Sequence, residues 1–126
     1  MKKQPVGAKF WVIPDAFLPV RSTGSLKSHE STCVLNLGAR AASLKLTAYF
    51  EDGEPLEGFQ VTCAPRRTIH IRLDVLKNHL GQSIPRGTPF ALSVESSAHV
   101  VVQHTRLDST QTALALMTTM AYPAGR

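Results

Sequence analysis

The chain has 126 residues and a mass of 13.7 kDa, which is enough for one domain and too little for two. A content of 43% hydrophobic and 18% charged residues excludes a disordered protein, and apolar runs of only a few residues exclude a membrane-spanning helix. The 14 basic and 9 acidic residues give a net charge of +5, which is compatible with binding to nucleic acid. The basic residues are scattered, however, and no aromatic side chains alternate with them to stack on bases.

The first part of the chain predicts two strands separated by a long loop. Residues 1–8 carry no periodic pattern and are expected to form a disordered tail ahead of a domain spanning residues 9–122. A strand is predicted over residues 9–13, where a proline ends it. Prolines, a glycine and serines indicate a loop over residues 14–29, and residues 31–37 predict the second strand.

Alternation of apolar and polar residues predicts β structure in the middle of the chain. Residues 44–50, 59–63 and 69–73 place apolar side chains at every second position, which is the pattern of a strand with one buried face. The acidic residues 51–55 form a turn between the first two of these segments. A short helix is predicted over residues 75–80, with an aspartate before it and a glycine after it.

The last third of the chain completes a β fold. Two strands, residues 90–95 and 99–105, are predicted to be joined by a hairpin at residues 96–98. The pattern over residues 114–122 fits a strand and a helix, with the strand slightly favoured, and residues 123–126 are predicted to be a tail. About eight strands and at most one short helix indicate an all-β, single-domain β-sandwich with a jelly-roll-like arrangement.

No motif for catalysis, a metal or a cofactor is found. None of the five histidines has another histidine or a cysteine at zinc-ligand spacing, and no phosphate loop or nucleophile motif occurs. We therefore expect a protein that is not an enzyme. Cys33 and Cys63 are too few for a disulfide scaffold, and the basic N-terminus lacks the apolar segment of a signal peptide. A cytoplasmic location is expected.

Two polar clusters could bind a ligand on the strands that carry them. Ser28-His29-Glu30 could present a donor and an acceptor, or it could be an exposed start of a strand. In residues 66–72, Thr68, His70 and Arg72 share one strand face, where they could hold a carboxylate, a phosphate or sugar hydroxyls. The alternative is the ordinary solvent face of an edge strand.

A third polar cluster, residues 103–109, follows the apolar run Val100-Val101-Val102. Six polar residues out of seven at the end of a buried strand must be paired or must face a cavity. Arg106 and Asp108 could pair with each other, and His104 could be buried and hydrogen-bonded. These structural roles compete with a role in ligand binding.

The sequence resembles the sensory rhodopsin transducer family over nearly its whole length, from about Lys9 to Tyr122. The matching motifs are Trp11, Ser28-His29-Glu30, Val34-Leu35-Asn36, Tyr49-Phe50, the acidic turn 51–55, Arg66-Arg67-Thr68, His70, Arg72, residues 102–109 and Ala121-Tyr122. The sequence departs from the family at Ile69, where a basic or polar residue is expected, and matches are few in the loop from Pro14 to Lys27.

The resemblance implies a jelly-roll-like subunit that assembles into a homotetramer without enzymatic activity. It implies a small-molecule ligand, with sugars or related metabolites as the expected class. Signal transduction from a membrane sensory rhodopsin is the alternative function, and association with DNA is a further alternative. We expect one polar pocket, closed by an aromatic side chain, with these ligand-binding residues: Trp11, His29, Glu30, Arg67, His70, Gln103, His104, Arg106 and Tyr122.

Overall fold

The computed structural model describes residues 4–125, which form an all-β domain. Its strands are β1 (Ala8–Ala16), β2 (His29–Asn36), β3 (Ala42–Phe50), β4 (Leu56–Cys63), β5 (Arg67–Arg72), β6 (Phe90–Asp108), β7 (Ala115–Met120) and β8 (Tyr122–Pro123). Among the described residues there is no helix, and so none long and apolar enough to cross a membrane.

The strands pair in antiparallel fashion around the long strand β6, which belongs to two layers. Its first half pairs with β3 and β1, within the order β4-β3-β6-β1-β8. Its second half pairs with β2 on one side and β7 on the other, and β2 pairs in turn with β5. The buried side chains of both layers form one core that includes Phe59, Leu44, Leu46, Leu92, Val34, Val100 and Val102. The predicted β-sandwich class is confirmed.

Two predicted elements are wrong in detail. The hairpin predicted at residues 96–98 does not form, because β6 runs through this segment without a turn. The segment is held from both sides: Ser43 on β3 donates its amide to the Ser97 side-chain Oγ at 2.9 Å, and Ala8 on β1 pairs with Val100. The predicted helix over residues 75–80 is replaced by turns and an isolated bridge between Lys77 and Ser83.

The missing helix has a local cause in Asn78, whose side chain is 7% exposed. Its Oδ1 accepts the amides of Leu80 and Gln82 at 3.0 and 2.8 Å, and its Nδ2 donates to the Glu57 carbonyl at 2.9 Å. An asparagine that bonds to the backbone in this way competes with helical hydrogen bonds. The segment therefore folds back on itself as a loop against β4.

The ends of the other predicted elements shift by a few residues. Strand β1 continues past Pro14 to Ala16, with an irregular register after Ile13, where a proline without an amide is tolerated. The predicted tail over residues 1–8 lies outside the described residues for positions 1–3, and Ala8 already belongs to β1. Residue 126 of the predicted C-terminal tail is also outside the described residues. The strand favoured for residues 114–122 is confirmed as β7.

Strand β7 forms an exposed edge of the second layer. All six of its residues are exposed, and Leu116, Met117 and Met120 have more than half of their surface in solvent. Residues 109–125 contain no charged side chain. An apolar edge strand without charges is the kind of edge that pairs with another chain.

Candidate ligand-binding cleft

A fully buried carboxylate, that of Glu30, organises the centre of the second layer. Its Oε1 lies 2.6 Å from His104 Nε2, and its Oε2 accepts from Arg106 Nε at 2.7 Å. Oε2 also accepts the backbone amide of Phe17 at 2.8 Å, which fixes the start of the long loop. Because a buried charge requires charged or hydrogen-bonded partners, these three donors are what allows Glu30 to be 0% exposed.

The register of β2 and β6 brings these side chains together. Glu30 stands opposite Arg106, and Thr32 stands opposite His104, so all four side chains share the inner face of the layer. His104 Nε2 lies against the carboxylate, and its Nδ1 lies 3.3 Å from Thr32 Oγ1. Both nitrogens of His104 are thus used inside the protein.

A cleft of about 380 Å³ opens beside this cluster, between β1, β6 and β7. Its walls are formed by Ile13, Pro14, Asp15, His104, Arg106, Met117, Thr119 and Met120. The volume lies within the range of small-molecule sites, about 300–1,000 Å³. The lining combines methionine and proline surfaces with a guanidinium, a hydroxyl and a carboxylate, a set that suits a small polar molecule with an apolar face.

Arg106 connects the buried cluster to the cleft. Its side chain is 23% exposed, with Nε bound to Glu30 and one terminal nitrogen 3.8 Å from the carboxylate of Asp15. Asp15 is 87% exposed and therefore free to turn toward a ligand. The guanidinium is held in place by a buried anion while the rest of it remains available to hydrogen-bond acceptors.

The predicted residues His70 and Gln103 lie on the opposite, outer face of the layer. Neighbouring residues of a strand point to opposite faces, so Gln103 cannot share the cleft with His104. Gln103, Cys33 and His70 stand in one row across β6, β2 and β5. They line a separate shallow groove of about 350 Å³, together with Val34, Leu35, Thr68, Val101 and Met120.

The remaining predicted site residues lie elsewhere. Trp11 is buried, and its indole nitrogen donates to two backbone carbonyls of β1 and β6 at 3.0 and 3.1 Å. His29 Nδ1 lies 2.9 Å from a loop carbonyl, Arg67 is exposed, and Tyr122 on β8 is 66% exposed. The structure thus brings together Glu30, His104 and Arg106 and leaves the other six residues outside the cleft.

The ion pair considered between Arg106 and Asp108 does not form. Arg106 pairs with Glu30 instead, because both point to the inner face. Asp108 accepts from the side chain and the backbone of Thr110 at 2.6 and 2.8 Å, and these bonds lower the pKa of its carboxyl. Ser109 is buried and bonds to Ser28 Oγ, which ties the end of β6 to the long loop.

Six of the eight lining residues were not predicted as site residues, and the polar or inward-facing ones among them are Asp15, Met117 and Thr119. Asp15 follows Pro14, and a proline predicts the end of the strand, which places Asp15 in the predicted loop. Met117 and Thr119 belong to the segment whose pattern was ambiguous between strand and helix. Once that segment is taken as a strand, its odd positions share one face, which is the signal that identifies both residues.

Other buried polar groups hold the frame of the domain. Burial raises the pKa of Asp74, but the hydrogen bonds and charge of Arg72, at 2.7 and 2.8 Å, outweigh burial and lower it below the usual range. Burial raises the pKa of the Cys63 thiol, which lies against the carbonyls of Val34 and Arg67. Among the described residues, no three histidine, cysteine or acidic side chains are grouped to hold a metal ion.

Comparison with known proteins gives a consistent result. The family profile described as Anabaena sensory rhodopsin transducer matches residues 6–123. The chain is similar to Thermotoga maritima 1070, with 38% identity, a TM-score of 0.82 and coverage of 94% of this chain and 96% of that one. It is also similar to the Anabaena sensory rhodopsin transducer, with 37% identity, a TM-score of 0.74 and coverage of 86% and 96%. No curated protein matches the sequence.

Proposed function

The chain belongs to the Anabaena sensory rhodopsin transducer family, and from this premise we propose that it is a cytoplasmic, non-enzymatic domain that binds a small molecule. The binding site is the cleft between β1, β6 and β7. The ligand is a small polar metabolite with hydroxyl groups, of which sugars and sugar derivatives are the leading class. The domain's role is to report binding rather than to transform the ligand.

The observation that carries this proposal is the arginine at the wall of the cleft. Arg106 is fixed by Glu30, a residue with no exposed surface, and it stands among Met117, Met120 and Thr119. A rigid donor surrounded by apolar surface can hold hydroxyl or carboxylate oxygens with little loss of side-chain freedom.

A thermal-shift screen with sugars, sugar phosphates and small carboxylates tests the proposal, because a ligand that prefers the native state raises the melting temperature. The variants Thr119→Val and Thr118→Val form a matched pair, since both residues lie on β7 but point to opposite faces. We expect the ligand-induced shift to be lost in T119V and kept in T118V. The reverse result, or loss in neither variant, would exclude the cleft as the site.

The second candidate function is docking on a membrane sensory rhodopsin as a signal transducer. The family match and the relative that carries this name, at 37% identity, support it. Titration of the protein against a sensory rhodopsin in nanodiscs would test it, with saturable binding as the expected result. DNA association, the further alternative, is supported only by the net charge of +5.

We propose further that the protein is a homotetramer in which β7 is covered. The solvent-accessible surface is 7847 Å², whereas a compact chain of this mass exposes about 6,600 Å². The exposed and uncharged strand β7 contributes to this excess. Since β7 also forms one wall of the cleft, covering it would place a second chain near the ligand.

A further inference from the structure

Two turns at one end of the sandwich carry three arginines. Residues 37–41 connect β2 to β3 and include Arg40. Residues 64–66 connect β4 to β5 and include Arg66, and Arg67 is the first residue of β5. All three side chains are exposed. Arg40, Arg66 and Arg67 define the arginine end of the sandwich.

The backbone of both turns is fixed by one buried side chain. Asn36, with no exposed surface, donates from Nδ2 to the carbonyls of Arg40, Cys63 and Ala64 at 2.8, 3.1 and 3.3 Å. Its Oδ1 accepts the amide of Gly38 at 2.9 Å. One amide thus holds both turns side by side, so the arginines project from a rigid base.

The arginine end is free of compensating negative charge. Residues 31–50 and 58–73, which contain both turns and the adjoining parts of the strands, include no aspartate or glutamate, and the acidic residues Glu30 of β2 and Glu57 of β4 lie at the ends of these strands away from the turns. Within residues 4–125, none of the three arginines takes part in an ion pair. By contrast, Arg72, Arg86 and Arg106 are all paired with carboxylates.

Apolar surface is interleaved with these charges. Leu37 is 53% exposed, and Ala39, Ala41 and Ala64 are exposed on the same two turns. Arg66 has a left-handed backbone with φ of 56°, and it is the one residue other than glycine with positive φ in the described chain. Such a conformation is uncommon for residues other than glycine and costs energy.

We propose that the arginine end docks on an anionic phospholipid surface. Guanidinium groups bind headgroup phosphates, and short apolar side chains beside them enter the interface between headgroups and acyl chains. The surface is formed by exposed side chains of two neighbouring turns, which suits a broad anionic sheet. Nucleic acid is less well matched, because no aromatic side chain of either turn is available for stacking.

Sedimentation with lipid vesicles tests this inference. Vesicles of phosphatidylcholine and phosphatidylglycerol, at about three to one, are compared with vesicles of pure phosphatidylcholine at low and physiological salt. The test variant is R40Q/R66Q/R67Q. The matched control is R21Q/K27Q/K45Q, which removes the same charge from exposed positions elsewhere. Melting curves show whether both variants stay folded, as expected for exposed side chains.

We expect the wild type to bind the anionic vesicles in a salt-sensitive manner and not to bind the neutral vesicles. Each arginine increases the partitioning of the protein onto anionic vesicles about fivefold, so the partitioning of the triple variant is lower by on the order of 100-fold. The control loses little, because charges beyond about 10 Å are screened at 0.1 M salt. The single variant Leu37→Ser is expected to weaken binding without changing its dependence on salt.

Three results would overturn the inference. One is the absence of wild-type binding to anionic vesicles at low salt. Another is equal loss in the test and control variants, which would show attraction by net charge alone. The third is binding of duplex DNA or inorganic phosphate, lost in the test variant, without vesicle binding. The vesicles contain no rhodopsin and no metabolite, so the outcome is independent of the proposed function.

Discussion

Removal of the Glu30 carboxylate is expected to destabilise the domain more than any other single loss of a charge. The substitution Glu30→Ala leaves His104, Arg106 and the amide of Phe17 without their common acceptor. All of these groups are buried or partly buried, so water cannot easily replace the carboxylate. The variant also loses the connection between β2, β6 and the start of the long loop.

The expected magnitude follows from the burial of the pair. Loss of one partner from a buried ion pair costs about 3–5 kcal/mol, because the other charge is left uncompensated. A domain of this size has a free energy of unfolding of about 5–15 kcal/mol, so the variant is expected to be marginally stable. Glu30→Gln keeps the volume and one acceptor oxygen, and it should lose less than the alanine variant.

Urea unfolding can be followed through Trp11, the only tryptophan, which is buried beside β6. All variants are compared at one protein concentration, because assembly would stabilise the native state. Glu95→Ala, at an exposed position of β6, is the control and should stay within about 0.5 kcal/mol of the wild type. If Glu30→Ala lowers the free energy of unfolding by less than about 1 kcal/mol, the central role of this carboxylate is refuted.

The other predictions concern acid stability, a glycine and the exposed edge. The pKa of Asp74 is lowered in the fold because Arg72 outweighs burial, so its stabilisation is present above the unfolded pKa of about 4 and disappears as the pH falls through the folded pKa. The melting-temperature difference between wild type and Asp74→Asn should therefore shrink below about pH 4, and a constant difference would contradict this. Gly7 and Gly53 have φ of 96° and 93°, but only at Gly7 would a Cβ meet a backbone carbonyl of β6. Urea unfolding should therefore show a larger loss of unfolding free energy for Gly7→Ala than for Gly53→Ala. Equal losses in the two variants would contradict the contact at Gly7. Leu116→Lys should lower the mass measured by light scattering toward that of one chain, whereas an unchanged assembly would show that β7 is not the covered edge.

The continuity of β6 could have been predicted from its even-numbered positions. From Phe90 to His104 the even positions are all inward-facing or partly buried, and the alternation does not change phase at Ser96-Ser97-Ala98. Serine and alanine alone do not predict a tight turn there, because the segment has no glycine, proline or asparagine. The partners that hold β6 as one strand, β1 and β3 on its first half and β2 on its second, are distant in sequence and could not be assigned.

The same alternation explains why residues 103–109 do not form one site. His104 and Arg106 point inward and meet Glu30, whereas Gln103 and Thr105 point to the outer face, where Thr105 bonds to Thr118. The polar character of this segment is therefore divided between a buried ion cluster, an outer groove and a link to the loop. A sequence motif on a strand can be assigned to a single pocket only at every second residue, because the pleat separates its neighbours. By this criterion, His104 and Arg106 are the two predicted residues that are fixed by the core and line the cleft, and Arg106, at 23% exposed, is the more accessible of them.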